Sequence, residues 1–240
     1  EVRARGTLRV VAVLDPKRPE FFATKPELPP GFDHEILQGF ADLHRLQLQI
    51  VPAASWDELL PTLLAGKADV IGGRFTATEM RRKSIDFTSE VFPYRLVVMT
   101  RKPGPVVATL DDLRRQKVGT MKGTNMAETI ATLGLPPENV DDAIPTGGFV
   151  EALRSGRVTA VLWGVESAIA SQKDDPAIQL GTFVGAPGSL AFGVRKNDPG
   201  LLAALNAYVD NFRRSPAWSR LVVKYFGADA PAILKKARGE

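Results

Sequence analysis

Residues 55–81, SWDELLPTLLAGKADVIGGRFTATEMR, decide how the chain folds. Ser55 and Glu58 have the spacing of a capping box, in which hydroxyl and carboxylate satisfy the first free amides of a helix. Leu59, Leu60, Leu63 and Leu64 keep the i, i+4 spacing of one apolar face, and Gly66 suits the left-handed residue that stops it. Residues 68–71 are a short apolar run bounded by glycines, the pattern of a strand buried on both faces. Beyond it, Thr76, Thr78 and Arg81 collect hydroxyls and a guanidinium around the predicted start of another helix. Free amides, a positive dipole end and a planar fork of donors suit a small anion such as a carboxylate. A ligand site is therefore expected here.

Towards the N-terminus, residues 7–14 (TLRVVAVL) read as a central parallel strand. It runs into Asp15-Pro16 and a proline-rich loop, 17–31, that carries Phe21 and Phe22. Ligands of open α/β sheets bind just past such strand ends. Asp33 is predicted to cap a helix lined by Ile36, Leu37, Phe40 and Leu43, and residues 46–51 alternate as a second strand. Residues 1 to 75 thus spell strand, helix, strand, helix, strand, a doubly wound parallel unit.

Towards the C-terminus, residues 84–92 are read as irregular. Residues 96–100 form a strand that ends at Lys102-Pro103-Gly104, a composition shift marking a domain crossing. A helix (110–115), a strand (117–121), the loop KGTN (122–125) and a helix (126–133) follow. After Gly147-Gly148 come a helix ending at Gly156, a strand (158–163), a helix (166–172) and a strand (179–184). Residues 189–195 (SLAFGVR) are strand-like, Asp198 and Pro199 open a long amphipathic helix, and residues 216–225 form the last predicted helix. The β-rich segments at 96–100 and 189–195 would be two crossings between lobes, which make a hinge.

Composition narrows the function. With 31 basic and 27 acidic residues scattered along the chain, there is no clustered basic face for nucleic acid. No apolar run approaches the eighteen or so residues of a membrane span. The chain has no cysteine, so disulfides, thiolate metal sites and a cysteine nucleophile are excluded. His34 and His44 lack partners at metal-ligand spacing, and no cofactor is expected. GGR at Gly72 and GG at Gly147 are too short for dinucleotide fingerprints.

In seven segments the chain resembles the polar amino-acid class of periplasmic solute-binding proteins, solute-binding family 3. They are GTLRV, GFDHEILQGFADL, SWDELLPTLLAGKADVIGG, TATEMR followed by IDFT, KVGTMKGTN, EALRSGRVTAV and FGVRKNDPGLLAALN. The resemblance implies a type II periplasmic-binding-protein-like fold: two doubly wound α/β lobes joined by two hinge strands, closing over a small ligand. The first lobe would be 1–95 plus 194–240 and the second 98–188, with hinges near 94–98 and 189–194. It also implies a periplasmic monomer, with a targeting segment removed before Glu1, that serves a membrane ABC permease.

Carried over by position, Arg81 would grip the ligand carboxylate and Thr76 would add its hydroxyl and backbone. Trp56 would stack on the ligand, and Lys122, Thr124 and Asn125 would close from the second lobe. Two departures bear on ligand identity. The family's ammonium-binding Asp is replaced by Gly164, beside Trp163, with Glu166 two residues on; Lys17 and Arg74 add positive charge. Together they predict an anionic ligand, an amino acid or a related organic acid, that need not carry a free α-amine, with Trp56 and Trp163 admitting a flat or apolar body. Two competing functions share the fold. One is a periplasmic cyclohexadienyl dehydratase, which needs a carboxylic acid such as Glu166 to protonate a leaving hydroxyl. The other is the ligand-sensing domain of a membrane receptor.

Overall fold

The computed structural model describes residues 1–121, 124–145 and 147–240, with the side chains of Asn125 and Glu128 outside that description. A helical turn, α1 (Val2–Arg5), precedes β1 (Thr7–Val13), α2 (Phe32–Leu43) and β2 (Gln47–Ala53). A 3-10 turn (Trp56–Glu58) then enters α3 (Leu59–Leu64), β3 (Val70–Ile71), α4 (Glu79–Arg82), β4 (Ile85–Phe87) and the long β5 (Phe92–Arg101). Next come α5 (Leu110–Arg114), β6 (Val118–Gly119), α6 (Asn125–Thr132), β7 (Val140–Asp141), α7 (Phe149–Arg154), β8 (Ala160–Gly164) and α8 (Val165–Asp174). The chain closes with β9 (Ile178–Leu190), β10 (Gly193–Arg195), α9 (Pro199–Arg214), α10 (Pro216–Phe226) and α11 (Ala230–Arg238).

The strands form two five-stranded sheets, in the orders β2-β1-β3-β10-β4 and β7-β6-β8-β5-β9. β1 runs parallel to β2 and β3, as its buried run Val10–Val11–Ala12 predicts. The first sheet is not wholly parallel, because β10 enters antiparallel between β3 and β4. In the second sheet β6 is parallel to β7 and β8, and β5 is antiparallel to β8. Two elements differ from the expected boundaries: the segment read as irregular holds β4, and residues 189–195 divide between the end of β9 and β10.

The chain divides into two compact units, residues 1–93 with 188–225 and residues 94–187 with 226–240. It passes between them within β5, within β9 and near the end of α10. The third passage departs from the expected grouping of 194–240 with the first unit. Its cause is packing. In α8 every residue from Val165 to Ser171 is buried, so this helix needs cover all round. α11 supplies part of it, burying Ala230, Leu234 and Ala237 and packing on α8.

In the first unit, Leu59 and Leu63 of α3 are fully buried against Val11, Ile71, Phe75, Ile85 and Phe87, while Leu64 is 51 % exposed. The apolar face is therefore narrower than the leucine count suggests. Each buried leucine contributes roughly 1.5–3 kcal/mol. The Ser55–Glu58 capping box does not form. Glu58 Oε2 accepts instead from the Ala54 N–H at 2.9 Å, and Ser55 makes no side-chain cap bond, because the first turn is 3-10. Gly66 takes the expected left-handed conformation, and Asp198 accepts from the Leu201 N–H at the start of α9.

Candidate ligand-binding site

Because β2, β1 and β3 are parallel, their carboxyl ends lie along one edge of the first sheet. Three loops leave that edge, carrying Asp15, Trp56 and the run from Gly72 to Thr76. This is the edge where open α/β sheets hold ligands. Gly73 and Arg74 both have positive φ, +81° and +61°. A side chain at Gly73 would be strained by that φ and would crowd the Phe22 ring at 3.2 Å, so glycine suits this position.

Asp33 holds that loop. Its Oδ2 accepts from the Gly73 N–H at 2.7 Å, and the residue is buried. Its predicted capping role is thus corrected: Gly31 is the N-cap residue of α2. Asp33 shares the buried stripe of Ile36, Leu37 and Phe40, which turns its carboxyl inward. Burial pushes this carboxyl up to about 7, against the N–H groups of Gly73 and Arg74 and the charge of Arg74. A carboxyl raised in the folded state binds a proton that the unfolded chain has already released. Stability from this group is therefore full at about pH 4 and falls as pH rises towards 7, by a total on the order of 4 kcal/mol. Asp33→Asn should flatten that slope in urea unfolding between pH 4.5 and 8; an unchanged slope would rule Asp33 out as its source.

Arg81 is fixed from three directions. Its Nη1 donates to the Thr76 carbonyl at 2.8 Å, and its backbone N–H donates to Thr78 Oγ1 at 3.3 Å. Its guanidinium lies 4.1 Å from the centroid of Phe75, whose ring stacks on Phe87 in the core. Thr76 is itself held by a bridge to Leu190. The helix that starts here is one turn, so its dipole is small and the guanidinium is the main anion-attracting group.

Arg74 lies 5.5 Å over the Trp56 ring and 3.7 Å from Asp15. Trp56 is 40 % exposed, which sets it apart from a core tryptophan. Lys17 is exposed, and its backbone N–H donates to Asp15 Oδ1 at 2.9 Å. The structure therefore sets two groups on the segments that leave one sheet edge, Arg74 with Trp56 and Asp15, and Arg81 of α4 with Thr76 and Phe75, while the buried Asp33 holds the loop; the sequence reading did not assign Asp15, Asp33 or Phe75 to the site. Asp33 carried a signal in its place on the apolar stripe, and Asp15 in its place just past β1; Phe75 carried none.

In the second unit, the carboxyl ends of the parallel strands β6 and β8 form the corresponding edge. Thr124 Oγ1 donates to the Met121 carbonyl at 2.6 Å and accepts from the Ala127 N–H at 3.3 Å, capping α6. Lys122 lies outside the described residues. Asn125 opens α6, with its side chain outside the description. The Trp163 ring meets Phe149 edge-on at 5.1 Å, so it packs towards α7. Gly164 ends β8, and Glu166, buried in the first turn of α8, folds back over it. A Cβ built on Gly164 would lie 2.5 Å from both Glu166 carboxylate oxygens. Among the described residues, no cluster of three or more His, Asp or Glu is placed to hold a metal.

Comparison with known proteins places this geometry in context. The family model for bacterial extracellular solute-binding proteins, family 3, matches residues 10–228. The L-cystine-binding protein TcyJ of Escherichia coli is 29 % identical over 95 % of this chain and 86 % of its own. A mutant of ArgBP from T. maritima superposes with a TM-score of 0.75 and 27 % identity, covering 95 % of this chain and 98 % of that one. The ancestral amino acid-binding protein AncCDT-1, a precursor of cyclohexadienyl dehydratase, has a TM-score of 0.77 over 94 % of this chain and 97 % of its own. At 24 % identity it shows the shared fold alone.

Proposed function

Because the chain belongs to the bacterial extracellular solute-binding proteins, family 3, we propose that it is a periplasmic receptor for an amino acid or a closely related small carboxylate. It would act as a monomer that binds the ligand without chemistry and presents the bound form to a membrane ABC permease. The observation that carries this reading is Arg81, a guanidinium locked by Thr76 and Phe75 at the ligand edge of a parallel sheet. Such a planar fork suits two parallel hydrogen bonds to a carboxylate. Relatives support the class: TcyJ binds L-cystine, and ArgBP has an arginine-bound form.

The charge argument for an amine-free ligand weakens once Arg74 is paired with Asp15 and Glu166 lies over Gly164. The proposed class is therefore α-amino acids. A thermal-shift screen of refolded protein tests it. A ligand at a hundredfold excess over its Kd should add about 2.7 kcal/mol of stability. Free amino acids should raise Tm, and a panel of the twenty standard amino acids and L-cystine with no shift would refute the reading. The dehydratase reading keeps one favouring observation, the buried Glu166 carboxyl, and loss of prephenate from solution would establish it.

A further inference from the structure

We propose that the second unit carries a separate binding site for a phosphate monoester, in the cavity where β5 ends and β6 and β8 begin. The proposal does not rest on the amino-acid reading, because this cavity lies at the opposite edge of the sheet from Gly164, the last residue of β8.

Strand order fixes the place. β6 and β8 are parallel, with Val118 beside Ala160, and β5 runs antiparallel to β8, with Met99 beside Val161. The end of β5 and the starts of β6 and β8 therefore share one edge. A cavity of about 360 Å³ opens there, between the turn after β5, the residue Gln116 before β6, and the loop from α7 into β8. That volume falls in the range of small-molecule sites and exceeds what inorganic phosphate alone would fill.

Charge sets the ligand class. Arg101, Lys102 and Arg154 line the cavity, and no acidic side chain does. Arg101 Nε lies 3.4 Å and Arg154 Nη2 lies 3.6 Å from the same oxygen, Asp175 Oδ2, so the two guanidinium groups converge on one point. Asp175 is held below the ordinary carboxylate range by the Ala177 N–H and by the charges of both arginines. Glu151, 3.1 Å from Arg154 Nη1, is the other acid here, and both acids stand outside the lining. The Lys102 ammonium has no ion pair among the described residues. Neutral donors of the lining are already engaged: the Ser155 hydroxyl donates to the Glu151 carbonyl at 2.9 Å, and Gln116 Nε2 to the Asp112 carbonyl at 3.4 Å.

Recognition thus falls to cations grouped around one centre. That arrangement suits the concentrated double charge of a phosphate monoester better than two carboxylates held apart. The lining also includes Pro103, Pro105 and Leu153. Prolines have no N–H to offer an oxygen, so this apolar wall suits the body of the ester's alcohol. The end of α7 attracts Arg154, and Asp175 accounts for Arg101. Neither accounts for a third, unpaired cation in the same cavity.

Calorimetric titration of the full chain at about pH 7.5 and low salt, where the monoester is a dianion, tests the proposal with phenyl phosphate, phenyl sulfate and inorganic phosphate. Phenyl phosphate should bind saturably, one to one. Phenyl sulfate has the same body with a single charge and should bind at least about tenfold more weakly. Inorganic phosphate, lacking the body, should also bind more weakly. Lys102→Ala and Arg154→Gln should each weaken phenyl phosphate by at least about fivefold, and Lys102→Ala should leave Tm unchanged. Arg114→Gln, which removes an arginine of the same unit that pairs with Asp111 outside the cavity, should leave the affinity unchanged. The proposal is overturned by any of four results: no saturation by phenyl phosphate up to about 10 mM, equal binding of phenyl phosphate and either other anion, unchanged affinity in Lys102→Ala or Arg154→Gln, or an equal loss in Arg114→Gln. None of these results bears on the amino-acid reading.

Discussion

Arg81→Lys is expected to weaken ligand binding by about 100-fold or more, and Arg81→Ala by more again. The guanidinium already has its plane set by Phe75 at 4.1 Å and one nitrogen set by the Thr76 carbonyl. Little side-chain entropy is then left to lose on binding, and two parallel hydrogen bonds to a carboxylate can form together. A lysine keeps the charge but has neither the plane nor the fork, so it can neither lie flat on Phe75 nor bond bidentately. The fold should survive, since Arg81 sits in a one-turn helix near the surface and its backbone N–H still reaches Thr78. Calorimetry on a variant with an unchanged melting temperature measures the effect, and a change below about threefold would remove Arg81 from the site.

Asp69→Ala should be strongly destabilising, by roughly 3–5 kcal/mol, out of a typical total of about 5–15. The Asp69 side chain is fully buried. It accepts from the Arg9 backbone N–H at 2.9 Å, from Arg9 Nε at 3.2 Å and Nη2 at 2.9 Å, and from Arg5 at 2.5 Å, with Arg195 at 3.6 Å. One carboxylate thereby ties α1, β1 and β10 to the start of β3, whose far end carries the loop from Gly72 to Thr76. Removing it leaves guanidinium groups gathered around an absent anion. Burial alone would raise this carboxyl, but the hydrogen bonds and charges of Arg9 and Arg5 outweigh it and hold it below the ordinary carboxylate range. Its stabilisation is therefore present above that range and is lost as pH falls through the lowered value. Urea unfolding at pH 7 measures the loss, and a change under about 1 kcal/mol would show that the cluster is replaceable.

Much of the architecture was legible because local signals and burial agreed. The apolar run in β1 forced a central strand, Pro199 after Asp198 forced a helix start, and Gly66 forced a stop. What the sequence hid depends on contacts distant along the chain. α11 falls in the second unit because α8 needs cover, which no pattern within 226–240 announces. Asp33 looks like a cap because capping residues and buried acids share an alphabet; only the Gly73 N–H 40 residues away separates the two roles. Glu58 reached back to Ala54 as a capping-box acid would, yet Ser55 gave nothing in return, since a 3-10 turn moves the amide it was meant to meet.

The site followed the same division. Arg81, Thr76 and Trp56 stood out by type and spacing. Asp15 was invisible as a partner of Arg74, since the two are brought together only when β1 and β3 pair. Gly164 read alone looked like a missing charge. The structure folds the Glu166 carboxylate across it.

The most direct test of the account is calorimetric titration of refolded wild-type protein with L-arginine, L-histidine and L-cystine, each beside its carboxamide. The account predicts saturable one-to-one binding of at least one free amino acid and no measurable binding of the matching amide, because masking the carboxylate removes the group that Arg81 is proposed to hold. Equal binding of acid and amide would contradict it.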